Sequence, residues 1–291
     1  MNLDGIHHVT CITGDARANL DFYTGTLGLR LVKKTVNQDD PTVYHLFYAD
    51  EKGTPGADIS FFEYPGSAPG RAGAGMIHTV VWRVGSDEAI EFWRERAGSV
   101  PFTDPDGLRH DLVVSGVPDA PLVAEHPEIP REFALQGFEG VRAYASDVER
   151  NCEFLAALGF VDGETRGPSR GGWIRYEQAP PEAGIPGAGS VHHVAWSSAM
   201  DDEEAWRRRV TDAGGRPTPV IDRYWFHSIY FREPSGVLFE IATLGPGFGV
   251  DEDPAHLGET LILPPAYEHV RGEVEPLLTP LPNPRESWSR T

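Results

Sequence analysis

Two pairs of adjacent histidines stand in matching contexts. Gly5-Ile6 precedes His7-His8-Val9, and Gly189-Ser190-Val191 precedes His192-His193-Val194. One acid, Glu240, lies between Phe239 and Ile241 in a run of strand-forming residues. A carboxylate there is costly to bury unless something positive meets it. Two imidazoles and one carboxylate leave positions open on a cation, the donor set typical of non-haem Fe(II) enzymes. Taken singly, a strand histidine is more often a hydrogen-bonded core residue, and a lone glutamate a salt bridge or a rim position. Two pairs at matched positions make that bland reading the weaker one. Neighbours in a strand face opposite sides, so at most one histidine of each pair should ligate unless the strand is distorted, and spacing does not say which. His7 reads as a structural neighbour.

The elements that must position these groups form a repeat. From Asp222 to Glu240 the sequence reads as two strands joined by a tight turn punctuated by Pro234 and Gly236. With Gly236 at positive φ, Phe231 faces Phe239 and Tyr230 faces Glu240. Four stretches share a strand-like opening, at Gly5, Gly75, Gly140 and Gly189, each leading into a helical segment. The segments expected are Asn19 to Leu27, Glu88 to Arg96, Val148 to Leu158, and Asp202 to Ala213. Strand-like runs such as Val43 to Tyr48 and Ala57 to Phe62 follow, giving a period of roughly sixty residues. A unit of one strand, a helix and three strands cannot bury its sheet face alone, so units should pair face to face. The expected division is 1–66, 75–130, 137–182 and 189–245, with an acidic, Pro-rich tail over 246–291 carrying one helix from Ala266 to Leu277. Pro- and Gly-rich linkers separate the units. The fold class is α+β.

Aligning the openings separates the units chemically. His8 and His193 occupy one position; unit two has Thr79 there and unit three Ala143. At the place of Glu240, four residues beyond a glycine, unit two has Asp111 and unit one Ser60, while Glu177 of unit three is shifted by one. Only unit four joins a histidine to a glutamate, and only unit one can add a second histidine. Unit one must therefore pair with unit four, and unit two with unit three.

Composition sets outer bounds. The formal charge of -19 disfavours nucleic acid and anionic membranes, whose phosphates need Lys and Arg. No apolar run approaches a bilayer span, and Met-Asn-Leu-Asp-Gly is not a signal peptide. Two cysteines, Cys11 and Cys152, without metal-type spacing point to a reducing cytoplasm and no disulfide framework. The exposed strand edges and acidic tail allow a homodimer without requiring one.

With these features together, the chain resembles the vicinal oxygen chelate superfamily, and within it the hydroquinone ring-cleaving dioxygenases. The resemblance rests on Tyr44-His45-Leu46 followed by Gly53-Thr54-Pro55-Gly56, on Gly236-Val237-Leu238-Phe239-Glu240, and on Gly247-Phe248 with Asp251-Glu252-Asp253 in the tail. It implies four βαβββ units forming paired open barrels around a metal. It also implies His8, His193 and Glu240 as ligands of Fe(II), with Mn(II) or Zn(II) left open by the donor set. Thr10 would contact substrate, and His192, Arg223 and Tyr230 would be catalytic. The activity implied is extradiol-type cleavage of a small aromatic with O₂. Arg223 and Tyr230 would stabilise a developing oxyanion, and His192, with an ordinary pKa near 6.5, would move a proton. The blander alternatives are a surface ion pair of Arg223 with Asp222 or Glu233, and a half-buried strand aromatic for Tyr230. Trp225, Phe226, Phe62 and Tyr224 would wall an aromatic pocket or belong to the core. Two rivals share the fold: a glyoxalase-like isomerase, for which Ser60 stands where a second acid is wanted, and a non-catalytic binding or resistance protein.

Overall fold

Short β-branched and aromatic runs separated by glycine turns give a chain of strands and brief helices. A computed structural model describes residues 1–286 and Trp288; the last positions assigned to the tail, 287 and 289–291, lie outside the described residues. Unit one comprises β1 (Ile6–Thr13), α1 (Ala16–Leu20) widening into a π-type turn over Asp21–Thr26, β2 (Arg30–Asn37), β3 (Asp40–Ala49) and β4 (Asp58–Glu63). Unit two comprises β5 (Met76–Val84), α2 (Asp87–Arg96), β6 (Phe102–Thr103) and β7 (Arg109–Val114). Unit three comprises β8 (Phe138–Ala145), α3 (Cys152–Leu158), β9 (Glu164–Arg166) and β10 (Gly171–Gln178). Unit four comprises β11 (Val191–Ser198), α4 (Glu203–Asp212), β12 (Ile221–Asp222), β13 (Phe226–Arg232) and β14 (Leu238–Pro246).

The strands form two mixed sheets. One has the order β12-β13-β14-β11-β1-β4-β3-β2 and the other β6-β7-β5-β8-β10-β9. Units one and four thus share a curled sheet, with β1 and β11 antiparallel at its centre and β4 and β14 parallel on either side. Alternation sorts this sheet into two faces. Val9, Cys11, Val194, Trp196, Phe239 and Ile241 join the large core cluster, and Phe47, Ala195 and Ala242 the smaller cluster that includes Trp225 and Phe226. The helices dock by few, large groups. Trp206 and Val210 of α4 are fully buried, and burial of a side chain of that kind contributes roughly 2–3 kcal/mol.

The turn between β13 and β14 has the expected form. Gly236 sits at φ 108, and Tyr230 pairs with Glu240 and Phe231 with Phe239. Three details differ from expectation. Units two and three each show two strands after the helix instead of three, the intervening segments being irregular. The third helix begins only at Cys152. The tail helix is broken into a 3-10 segment, a single α turn and a second 3-10 segment, and Pro276, which has no N–H to donate, falls where the α turn gives way to the second 3-10 segment. Among the described residues no helix is long and apolar enough to cross a membrane.

Candidate metal centre

The ladder between β1 and β11 carries two bulges. Ile6 pairs with Trp196 but His8 with Ala195, and Thr10 pairs with His193 but Cys11 with Val191. His7 and His192 are the residues left over. An unpaired extra residue upsets alternation and re-aims its side chain, so each histidine meets its neighbour where opposite faces were expected. The Nδ1 atoms of His7 and His8 are 2.9 Å apart, and those of His192 and His193 2.8 Å. His78 stands at a bulge between β5 and β8 and contacts Thr79 Oγ1 at 2.9 Å. The bulge therefore belongs to the repeat, and units one and four add the imidazoles.

His8, His193 and Glu240 converge from three adjacent strands. His8 Nε2 lies 3.1 Å from His193 Nε2 and 3.2 Å from Glu240 Oε2, and His193 Nε2 lies 2.8 Å from that oxygen. All three are buried, Glu240 at 0 % exposure. Among the described residues this is the one cluster of at least three such groups able to hold a metal ion. Donors about 2.1 Å from one cation and at right angles to each other stand about 3 Å apart, close to the three edges here. The donor chemistry fits as well. Glu240 Oε1 accepts the Ser228 hydroxyl, whereas the buried Oε2 meets only the two imidazoles.

Electrostatics and hydrogen bonds set the protonation states. Burial works to raise the Glu240 carboxyl, but the charge of His8 and the contacts with His193 and His8 hold it well below its usual range. His8 is raised, because Glu240 outweighs burial, and His193 is lowered, chiefly by burial. Burial pushes His7 down to about 3. A neutral His7 gives its one ring proton from Nε2 to the Thr243 carbonyl at 3.1 Å, so its Nδ1 accepts from His8 Nδ1–H. That orients the His8 ring with Nε2 towards Glu240 and His193.

A cavity of about 300 Å³ opens beside these atoms. Its lining includes His8, His193, His192, Arg223, Tyr230 and His45, and its apolar walls are Phe47, Phe62, Trp225 and Phe226. Tyr224 is not among the lining residues. The Arg223 guanidinium donates to both oxygens of Asp39 at 3.2 and 3.0 Å, and its Nε to the Tyr230 hydroxyl at 3.3 Å. Arg223 is thus ion-paired as its bland reading supposed, but with Asp39 of the β2–β3 turn. Burial first, then the Glu240 charge, raises the Tyr230 phenol. Burial and then the neighbouring His193 lower His192 to about 4, below the ordinary value expected of it. Thr10 does not line the cavity; its hydroxyl meets Ser60 Oγ at 2.8 Å, which in turn meets His45 Nε2 at 3.0 Å.

The family profile of the Glyoxalase/Bleomycin resistance protein/Dioxygenase superfamily matches residues 5–99 and 137–241. The chain belongs to this superfamily. Members bind a metal, and the buried donor set above is where this chain can do so. A Bacillus subtilis (strain 168) relative with the provisional name ring-cleaving dioxygenase MhqA is 39% identical over 97% of this chain and 100% of its own length. The chlorohydroquinone/hydroquinone 1,2-dioxygenase of Sphingobium indicum is 31% identical over 94% of this chain and 95% of its own. A solved Bacillus subtilis structure provisionally titled a dioxygenase superposes with a TM-score of 0.89 at 36% identity, over 97% of this chain and 98% of that one.

Several groups at the superfamily site escape a reading of the sequence. Ser228 could have been found, since it lies two residues before Tyr230 on the face that meets Glu240. Asp39 could not, because its partner is 184 residues away. His45 stands in the Tyr44-His45-Leu46 motif that carried the resemblance, but nothing there assigned it to the cavity.

Proposed function

We propose that the protein is an Fe(II)-dependent, extradiol-type dioxygenase that opens the ring of a hydroquinone-type aromatic and incorporates both atoms of O₂. The observation that carries this reading is the buried His8, His193 and Glu240 set facing an aromatic-walled cavity with Arg223 and Tyr230 upon it. Relatives named ring-cleaving and hydroquinone dioxygenases, matched end to end, supply the reaction class. The cation would supply a Lewis acid for one phenolic oxygen and a binding position for O₂. The chain's own groups do the rest. Phe47, Phe62, Trp225 and Phe226 clasp the ring and exclude water. Arg223 offers a fixed positive charge, and Tyr230 a hydroxyl donor, to oxygen that gains negative charge. His192 turns Nδ1 to His193, leaving Nε2 to exchange a proton on the cavity side. Thr10 acts beside the donors through its pair with Ser60.

A glyoxalase-like isomerase is the weaker reading. Ser60 pairs with Thr10 as Glu240 pairs with Ala195, so the matching position of unit one offers a hydroxyl where that chemistry wants an acid. The test is oxygen uptake after anaerobic loading with Fe(II) or Mn(II). Hydroquinone should drive O₂ consumption, and catechol or methylglyoxal with glutathione should not. No uptake with any hydroquinone overturns the proposal.

A further inference from the structure

The tail motif has no part in the metal centre, yet it closes on a completely buried lysine. Lys33 of β2 is 0 % exposed; its Nζ meets Asp251 Oδ1 at 2.7 Å and also a Glu252 carboxylate oxygen. The ammonium lies 5.1 Å from the Trp225 ring centroid and 5.6 Å from that of Phe248. Burying this charge requires a partner, and two carboxylates are provided for one cation. Because Glu252 shares the ammonium, the second oxygen of Asp251 is free for another donor, and Trp225 Nε1–H takes it at 3.0 Å. The tail backbone grips the same residue, with Gly247 N–H donating to the Trp225 carbonyl at 2.8 Å. Phe248 completes the clamp against Phe47, their centroids 5.1 Å apart. It can lie there because Gly53 beneath it has no side chain; a Cβ on Gly53 would stand 2.7 Å from Phe248 Cδ2.

What the clamp holds is a wall of the cavity. Trp225 and Phe226 border it, and Phe226 sits 5.3 Å from the His8 ring. The segment joining β12 to β13 is an excursion with Tyr224 at φ 73, the left-handed region that costs a side chain energy. Such a turn keeps its shape when its surroundings over-determine it; here Asp222 Oδ1 and the Phe226 carbonyl accept its own N–H groups, and the tail adds restraints from outside the segment.

We propose that the Lys33–Asp251 pair positions the Trp225 indole as a fixed wall of the cavity, and so sets the size of the ring substituent that the cavity admits. Asp251 is a positioning residue on this view and Trp225 the specificity-determining one. The inference rests on the aromatic-substrate reading above.

The test compares the wild type with Asp251→Asn and Trp225→Phe, all metal-loaded. The quantity read is the ratio of kcat/KM for tert-butylhydroquinone to that for hydroquinone. A change in one pocket contact moves such ratios by about tenfold or more. Both variants should raise the ratio by at least that factor, Asp251→Asn through KM. A ratio within about twofold of wild type in Trp225→Phe overturns the proposal. So does an Asp251→Asn protein that loses thermal stability with its ratio unchanged. If Asp251→Asn does not fold, Trp225→Phe decides alone. Should the wild type turn over no hydroquinone, the proposed function fails by itself. The wall is then judged by anaerobic calorimetry of tert-butylphenol against phenol in the same proteins, where an unchanged affinity ratio, or no binding of either phenol, overturns it.

Discussion

The Nδ1 atoms of His7 and His8 face each other at 2.9 Å, and the far nitrogen of His7 is committed to the Thr243 carbonyl. His7 can therefore only accept from His8 Nδ1–H, which leaves His8 Nε2 facing Glu240 and His193. His7→Phe keeps a ring of similar size against Phe226, 5.2 Å away, and removes the acceptor. Loss of such an outer partner typically costs about 10–100-fold in metal affinity. Chelator competition should show a drop in that range, with the thermal midpoint close to wild type. Unchanged affinity would show that His7 does not orient its neighbour.

Glu240→Gln should separate metal binding from folding. Glutamine keeps the shape of the side chain and the oxygen that accepts from Ser228, so the variant should fold, at some cost in apoprotein stability because the charge facing His8 and His193 is gone. It should fail to retain iron after desalting, because a neutral amide neither balances nor binds the cation as a carboxylate does. Iron at wild-type occupancy would remove Glu240 from the donor set.

These two predictions mark where the sequence stops being legible. The repeat openings, α2 and α4, and the β13–β14 turn could be read because their signals are local: a glycine at the required φ, or aromatic residues on alternate positions. The donor types could be read because their positions match across repeats. The contact between His7 and His8 could not, since strict alternation sends neighbours to opposite faces and only a bulge brings them together. Nor could the pairing of Arg223 with Asp39, or of Lys33 with Asp251, which depend on how distant segments close over the sheet.

The Arg223–Asp39 pair gives an ordering of effects. Asp39 is 73% exposed, and an ion pair so open to water is worth roughly 0–1 kcal/mol. Asp39→Asn should accordingly lower kcat/KM by less than about fivefold. Arg223→Lys loses the planar fork that reaches Asp39 and Tyr230 together, and removing a fixed donor to a developing charge costs about 100-fold or more. Steady-state oxygen uptake would rank them. A larger loss for Asp39→Asn would contradict the assignment of Arg223 as the group that meets substrate.

Asp104 offers a stability test with a definite sign. Tyr23 donates its hydroxyl proton to Asp104 Oδ2 at 3.0 Å and lies 2.9 Å from His110 Nε2, while Trp82 Nε1–H donates to His110 Nδ1. These buried groups tie unit one to unit two. Burial raises the Asp104 carboxyl to about 6 from an ordinary 3.8, even though the backbone of Leu108 and the Tyr23 hydroxyl hold the charged form. A carboxyl raised on folding favours the protonated native state, so its contribution is present below the unfolded value and is lost as pH rises through about 6. The loss amounts to roughly 2–3 kcal/mol. Asp104→Asn has no such titration. Urea unfolding should therefore find the variant less destabilised relative to wild type at pH 7 than at pH 4, by an amount of that order. The many other carboxylates of this acidic chain cancel in the difference. A gap that stays constant between the two pH values would mean that Asp104 has the same proton affinity folded and unfolded.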